Sequence, residues 1–182
     1  MGNSYNAAMT QWSKGEYSGA TQTQDDLAII SGKIPYRADD HPSEEPLAMT
    51  GTDGFAHGII ERNTDDDVFT FFGSGSTTVD VNPRSGRYGN LDVGLQILNN
   101  NNGVIATVET PNDQDASWTG TLAPGDYKIK VYGTGNGNLS TGYSEYASLG
   151  QYEVHLTTEA VTGTLPPSKS PSKSPSRAPS KA

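Results

Sequence analysis

Carboxylates are the side chains of this 182-residue chain whose types and spacing most directly suggest chemistry. Asp65, Asp66 and Asp67 precede an apolar, strand-like run, and Asp113 and Asp115 lie close together in a polar loop. Calcium prefers several carboxylate and carbonyl oxygens on flexible loops. The predicted calcium ligands are Asp65, Asp67, Asp113 and Asp115. Ordinary solvated acidic loops are the alternative interpretation, because the sequence contains no EF-hand pattern and no repeated Gly/Asp nonapeptide.

Catalytic chemistry is not indicated by the remaining residues. Zinc ligation on a helix needs two histidines at positions i and i+4, and His41, His57 and His155 are far apart in the sequence. His57 and His155 fit ordinary strand positions. The chain has no G-x-S-x-G motif and no cysteine, which excludes that serine nucleophile and all thiol chemistry. We therefore expect that this chain is not an enzyme and has no catalytic residues of its own.

The charge is divided between a long acidic part and a short basic tail. All 21 acidic residues lie at or before Glu159, and only eight basic residues accompany them, which leaves a formal charge of −13. The basic residues of the tail are Lys169, Lys173, Arg177 and Lys181. An acidic body excludes nucleic acid as a partner, because phosphates require a basic face. No apolar run approaches the roughly 20 residues that a membrane helix requires.

Short strands are the elements that would position these residues. Apolar and polar residues alternate with the period of a β-strand between residues 45 and 160, and turn residues separate the runs. The eight predicted strands are residues 54–60, 67–72, 77–81, 91–98, 104–108, 116–122, 127–132 and 152–156. The fourth strand should bury Leu91, Val93, Leu95 and Ile97 on one face. This pattern predicts an all-β fold, an eight-strand β-sandwich of the jelly-roll type.

Turns, a short helix and a tail complete the sequence pattern. Residues 99–103 (Asn-Asn-Asn-Asn-Gly) predict a hairpin, and residues 123–126 (Ala-Pro-Gly-Asp) predict a tight turn. Residues 21–30 predict a short helix with Thr23 as its cap. Residues 162–182 repeat serine, lysine or arginine, and proline, which predicts a disordered tail that serves as a linker or as a site of modification or wall attachment.

The order of several motifs resembles that of a known family. The motifs are "GIIERNTDDDVFTFFGSGSTTVDVNP", "NLDVGLQILNNNNGVIATVE", "TLAPGDYKIKVYGTGNG" and "GYSEYASLGQYEVHL". They follow one another as in the pre-peptidase C-terminal domain, and the resemblance covers about residues 45–158, within the predicted domain 45–160. It implies a non-catalytic β-sandwich appended to a secreted protease, which is removed on maturation or attaches the enzyme to substrate or matrix. Calcium binding by some related domains adds to the prediction of a calcium site.

The first thirty residues resemble a second family. "MGNSYNAAMTQWSKGEYSGATQTQDDLAII" is similar to the end of a secreted, reprolysin-like metzincin zinc metalloprotease, from its methionine turn onward. The zinc motif H-E-x-x-H-x-x-G-x-x-H of that family would lie upstream. We therefore interpret residues 1–35 as a protease remnant and the chain as a fragment or a gene product begun at an internal methionine. Zinc is expected only in the upstream region, and the full-length parent is expected to be a metallopeptidase.

Two functions of different classes follow from these observations, and a third, a protease in its own right, would require upstream sequence. The first is a non-catalytic accessory domain of a secreted zinc metalloprotease, which assists secretion, folding or attachment to substrate or matrix. The second is a stand-alone adhesion or carbohydrate-binding β-sandwich on a disordered stalk. Partners would be the parent protease domain and an extracellular protein or polysaccharide. The tyrosines that form a binding face, or alternatively pack on the sandwich, are Tyr127, Tyr132, Tyr143, Tyr146 and Tyr152, and Trp118 shares the two interpretations.

Overall fold

The computed structural model describes residues 11–84, 89–111 and 113–160. Within these residues the chain forms seven β-strands, an α-helix and a 3₁₀ helix. The strands are β1 (Leu47–Ala48), β2 (Asp53–Ile60), β3 (Asp66–Pro83), β4 (Val93–Asn99), β5 (Val104–Glu109), β6 (Ala116–Gly133) and β7 (Gly150–Thr158). The α-helix, α1 (Asp26–Ser31), precedes them, and the 3₁₀ helix (Glu145–Ala147) follows β6. The predicted all-β class is confirmed.

Two long strands connect the layers of the sandwich. The strands are hydrogen-bonded in the order β2-β7-β3-β6-β4-β5, and β1 pairs with β3 in parallel. Residues 66–73 of β3 pair with residues 125–132 of β6, which also pair with β4. Residues 75–81 of β3 pair with residues 116–122 of β6, and residues 77–83 of β3 also pair with β7, which pairs with β2. Because β3 and β6 each pass from one layer into the other, the sheet closes as a β-sandwich.

The corner between the layers lies at a shift in the pairing of β3 with β6. The register moves from Gly73–Gly125 to Gly75–Leu122. Gly75 has a φ of +62°, a left-handed conformation that favours glycine, and a bulge of this kind bends a strand. The tight turn predicted at residues 123–126 is therefore wrong, because the chain bends there within β6 without reversing.

The eight predicted strands accordingly correspond to six elements. Residues 67–72 and 77–81 both belong to β3, and residues 116–122 and 127–132 both belong to β6. The sequence pattern missed β1, which has two residues. The sandwich is unchanged by this merging, since the bend of each long strand gives the same two layers that separate strands would give.

Buried side chains of both layers form one hydrophobic cluster. Phe69 and Phe71 come from the first half of β3, and Val79 and Val81 come from its second half. Their presence in one cluster shows that the two halves face each other across a common core. The fourth strand buries the predicted face, with exposures of 1% or less. Its confirmed core residues are Leu91, Val93, Leu95 and Ile97.

The predicted hairpin at residues 99–103 is confirmed between β4 and β5. The Asn99 side-chain oxygen accepts hydrogen bonds from the backbone N–H groups of Asn101 (2.9 Å) and Gly103 (2.8 Å). Asn102 has a φ of +63°, a conformation that asparagine tolerates better than most residues. The local turn chemistry thus sets this connection.

The N-terminal segment contacts the sandwich at Tyr146. Leu27 of α1 packs on Tyr146 and Ala147, and the Leu27 backbone N–H donates to the Tyr146 hydroxyl at 3.0 Å. The Lys14 ammonium lies 4.7 Å from the centre of the Tyr146 ring, within range of a cation–π interaction. Segment and sandwich therefore share a small second core.

The cap of α1 differs from the prediction. The Asp25 carboxylate accepts a hydrogen bond from the Ala28 backbone N–H at 2.8 Å, and Asp25 occupies the N-cap position. Thr23 as the cap is therefore wrong. The helix begins later than expected because Asp25 also accepts a hydrogen bond from the Tyr146 hydroxyl, a contact that only the folded chain supplies.

No helix in the described part of the chain is long and apolar enough to cross a membrane. The predictions made for Met1 and for the tail at 162–182 fall outside the described residues.

Candidate metal centre

Carboxyl groups converge at one end of the sandwich. Asp39, Asp65 and Asp67 have oxygens that all lie within 4.8 Å of one another, and the same holds for Asp39, Asp40 and Glu61. Asp39 belongs to both groups. We call these five residues, Asp39, Asp40, Glu61, Asp65 and Asp67, the acidic cluster. Like charges this close repel one another strongly unless protons or a cation neutralise them.

The connection between β2 and β3 supplies three members of the acidic cluster. Glu61 follows the end of β2, Asp65 precedes β3, and Asp67 is the second residue of β3. The Asp65 side chain accepts a hydrogen bond from the Glu61 backbone N–H at 2.9 Å, and the Asp65 N–H donates to the Arg62 carbonyl at 3.0 Å. A tight local turn therefore holds the Glu61 and Asp65 carboxyl groups side by side.

The segment before β1 supplies the other two members. The Asp40 carboxylate accepts a hydrogen bond from the Ile59 N–H at 3.3 Å, and the Val68 N–H donates to the His41 carbonyl at 3.3 Å. The His41 imidazole Nε2 lies 2.7 Å from the His57 carbonyl oxygen. These contacts attach residues 39–41 to β2 and β3 and thereby place Asp39 and Asp40 over the strand ends.

Asp67 is held from inside the core. Its carboxylate accepts a hydrogen bond from the Tyr152 hydroxyl of β7, and the residue is fully buried. A Cβ at Gly58 would lie 2.2 Å from the Tyr152 hydroxyl oxygen and 2.7 Å from Asp67 Oδ2. Glycine at position 58 is therefore required for the close contact between Tyr152 and Asp67.

Three buried carboxylate oxygens of the acidic cluster have no hydrogen-bond partner among the described residues. They are both side-chain oxygens of Glu61 and Oδ1 of Asp67. The nearest cation is the exposed Arg37 guanidinium, whose Nε lies 4.0 Å from Glu61 Oε1, too far for a hydrogen bond. An unsatisfied buried carboxylate is costly, and binding to a metal ion is one of the ways in which proteins compensate it.

Burial and mutual repulsion raise the pKa values of this cluster. Burial raises the pKa of Glu61 to about 8, and the neighbouring carboxyl groups, first Asp65, act in the same direction. Burial likewise raises the pKa of Asp67 to about 8, against the lowering effect of the Tyr152 hydrogen bond. Near neutral pH the cluster therefore retains protons unless a cation takes their place.

The donor set fits calcium. It consists of carboxylate oxygens alone, which hard cations prefer, and it lies on two loops and one strand start that can adjust to the irregular shell of calcium. A transition metal would favour nitrogen or sulfur ligands, and no histidine among the described residues belongs to the acidic cluster. Sequence reasoning missed Asp39, Asp40 and Glu61. The available signal was a pair of adjacent aspartates ahead of the first strand and a glutamate at the end of the next.

The four predicted calcium ligands occupy two places. Asp65 and Asp67 belong to the acidic cluster, whereas Asp113 and Asp115 precede β6 and do not belong to the cluster. Burial and the neighbouring Asp113 raise the pKa of Asp115. Asp92 lies near Asp113, and burial raises the pKa of Asp92 to about 6. The structure thus places residues 39, 40 and 61, and not Asp113 and Asp115, beside Asp65 and Asp67, and calcium binding by any of them stays a prediction.

The tyrosines considered for a binding face anchor loops and strands. Their hydroxyl groups donate hydrogen bonds to the Ala123 carbonyl (2.9 Å), to Glu109 (2.7 Å), to Asp92 (2.8 Å), to Asp25 and to Asp67. The donors are, in that order, Tyr127, Tyr132, Tyr143, Tyr146 and Tyr152. The packing interpretation of these residues is therefore the one that the geometry supports, and Trp118 packs partly buried against the core.

No protein-family model matches the sequence, and no curated protein matches it. The fold is similar to the pre-peptidase C-terminal domain of a collagenase from Bacillus anthracis, with 18% identity and a TM-score of 0.44 over 62% of this chain and 96% of that one. It is also similar to a periplasmic inhibitor of g-type lysozyme from Aeromonas hydrophila, with 16% identity and a TM-score of 0.41 over 62% of this chain and 94% of that one. At such low values the β-sandwich assignment rests on the strand pairing of this chain itself.

Proposed function

We propose that this chain is a non-catalytic β-sandwich accessory module of a secreted zinc metalloprotease, and that calcium bound at the acidic cluster stabilises it. The association with a protease and the extracellular location rest on the two sequence resemblances. The calcium part rests on one structural observation: three buried carboxylate oxygens of Glu61 and Asp67 have no hydrogen-bond partner in the part of the chain that the structure describes. When calcium is bound, it would neutralise the carboxyl groups that otherwise repel one another.

Calcium would also connect two parts of the chain. Asp39 and Asp40 come from the segment before β1, whereas Glu61, Asp65 and Asp67 come from the sandwich. An ion shared by both sets would fix the N-terminal segment against the strand ends. An accessory module needs such a connection, because a loosely attached domain cannot hold an enzyme in a defined position relative to its substrate or matrix.

Thermal unfolding of the whole chain tests the calcium site. A ligand that binds only the folded state at a hundredfold excess over its Kd adds about 2.7 kcal/mol of stability. For a chain of this size we expect the melting temperature to rise by roughly 5 to 10 °C in calcium, measured against sodium chloride of equal ionic strength. Magnesium should stabilise less, since its octahedral shell fits an irregular loop poorly.

Matched variants locate the effect. Glu61→Gln removes a buried carboxylate of the acidic cluster. Asp126→Asn removes an exposed carboxylate on β6 that does not belong to the cluster. The calcium response should disappear in the first variant and persist in the second. Equal melting temperatures in calcium and in the sodium chloride control would refute the calcium site.

The protease association has a separate test. Sequencing of the DNA immediately upstream of the codon for Met1 should show an in-frame H-E-x-x-H motif within a few dozen codons. A stop codon or a signal peptide at that place would refute the association and would favour a stand-alone adhesion or carbohydrate-binding domain.

A further inference from the structure

A cleft of about 580 Å³ lies beside the acidic cluster on the outer face of β2, β7 and β3. The strand register builds its floor from two cross-strand rows of outward side chains. His57, Glu153 and Asn82 are opposite one another in the first row. The second row contains Ile59, Gln151 and Arg84, and the Arg84 N–H donates to the Gln151 carbonyl at 2.8 Å. None of these side chains takes part in the hydrophobic core.

The polar groups of the floor are planar and pair with one another. The Arg84 guanidinium donates to the Gln151 side-chain oxygen at 2.8 Å, and His57 Nδ1 lies 3.5 Å from the Glu153 carboxylate. Hydrogen-bond donors and acceptors therefore lie side by side across the cleft. The Arg84 guanidinium donates, the Gln151 amide both donates and accepts, and the Glu153 carboxylate accepts. Such pairs match adjacent hydroxyl groups of a sugar ring, which present a donor and an acceptor on each oxygen.

The charge of the cleft favours a neutral ligand. Arg84 and Glu153 cancel, and Asp40 at the rim is directed to the Ile59 backbone N–H. The body of the chain as a whole is strongly acidic, so an anionic ligand would be repelled. A neutral ligand rich in hydroxyl groups is the class that this floor accommodates without an uncompensated charge.

An aromatic platform continues the floor by one row. The Phe55 ring stacks on the His155 imidazole with centroids 4.1 Å apart and an interplanar angle of 5°. His155 Nε2 in turn lies 2.8 Å from the Asp53 carboxylate. Phe55 nevertheless remains 61% exposed. A fixed, exposed aromatic ring provides apolar area with little loss of conformational freedom, and the apolar face of a sugar ring can stack on it.

Strand addition by a peptide is blocked at this site. The free edge of β2 beside the cleft is already used by residues 39–41, since Asp40 accepts from the Ile59 N–H and His41 contacts the His57 carbonyl. A peptide that extends the sheet would need these same backbone groups.

We propose that the cleft and the Phe55 platform bind a neutral oligosaccharide across β2, β7 and β3. Three rows two residues apart span roughly 13 Å, enough for about two or three sugar rings. The inference rests on the proposed role as an attachment module and names the chemical class to which the module attaches.

Nuclear magnetic resonance of the isotope-labelled whole chain tests the proposal. The probes are cellohexaose, chitohexaose and maltohexaose, each added to about 10 mM so that even a millimolar Kd gives high occupancy. At least one probe should shift the amide signals of the two floor rows, including those of Asn82 and Gln151. No shift with any probe, or shifts confined to other surfaces, would overturn the proposal.

Paired variants supply the second measurement. Phe55→Ala and Arg84→Gln should each weaken binding of the active probe by about tenfold. Their controls are Phe72→Ala, an exposed phenylalanine on β3 outside the cleft, and Arg62→Gln, an exposed arginine outside the cleft. Equal losses in variants and controls would contradict the assignment. Melting of the same samples in calcium reports the proposed function separately, so failure of either can be recognised alone.

Discussion

The acidic cluster should make the stability of the calcium-free chain fall as the pH rises. Glu61 and Asp67 have folded-state pKa values of about 8, far above the ordinary values of 4.5 and 3.8. At pH values between the unfolded and the folded pKa, the folded state keeps protons that the unfolded state has released. The contribution of the protonated Glu61 and Asp67 to the free energy of unfolding is therefore complete below the unfolded pKa values. It is lost as the pH rises through about 8.

The magnitude follows from the number of protons retained. One proton kept by the folded cluster lowers the free energy of unfolding by about 1.4 kcal/mol for each pH unit. Because the two groups lie in one cluster of like charges, we count a single proton for the pair. The interval from about pH 6.5 to 7.5 is suitable because it lies above the pKa of Asp92, which is raised to about 6 by burial.

Urea unfolding at both pH values measures this slope. The wild-type chain in chelator is compared with the double variant Glu61→Gln/Asp67→Asn, which keeps the histidines and all other titrating groups, so their contribution cancels. The wild type should lose about 1.4 kcal/mol more than the variant over the interval. Saturating calcium should abolish this difference, since the ion favours the deprotonated ligands. Equal slopes of wild type and variant in chelator would refute the raised pKa values that burial gives Glu61 and Asp67.

Three further outcomes are expected. Gly58→Ala should destabilise the chain by about 1–3 kcal/mol in urea unfolding, because the added Cβ would overlap the Tyr152 hydroxyl and Asp67; a change no larger than that of Gly125→Ala, where an added Cβ would meet no atom closer than 3.8 Å, would contradict the packing. A chain limited to residues 45–160 should give a β-type circular dichroism spectrum and one unfolding transition, but no calcium response without Asp39 and Asp40; an unfolded spectrum would show that the first 44 residues supply essential packing. The whole chain should not cleave casein, with or without zinc, because no histidine belongs to a potential metal group among the described residues; cleavage sensitive to a chelator would overturn the non-catalytic assignment.

The sequence by itself determined the strand class, the inward faces and the hairpin. Alternation in β4 identified Leu95 and Ile97 as core residues, and both are fully buried. The asparagine-rich turn at residues 99–103 was predictable because its hydrogen bonds lie within the turn. These features depend on residues that are near one another in the chain, so local periodicity and turn chemistry suffice to reveal them.

The continuity of β3 and β6 was decided by the tertiary structure. Gly125 and its neighbour Pro124 suggest a chain reversal when they are considered alone. In the folded chain they lie at the corner where β6 pairs with the bulged part of β3, so the same residues allow a bend. Whether such a sequence reverses or bends depends on which strand lies beside it, and local turn preference does not contain that information.

The acidic cluster was likewise decided by the tertiary structure. Sequence spacing proposed Asp65 and Asp67 as ligands, but it joined them with Asp113 and Asp115, which do not belong to the acidic cluster. Asp39 and Asp40 reach the cluster because His41 and Asp40 form hydrogen bonds with β2 and β3, which brings their oxygens within 4.8 Å of Glu61. A metal site needs oxygens that converge within a few ångströms, and the pairing of distant segments determines which carboxyl groups do so.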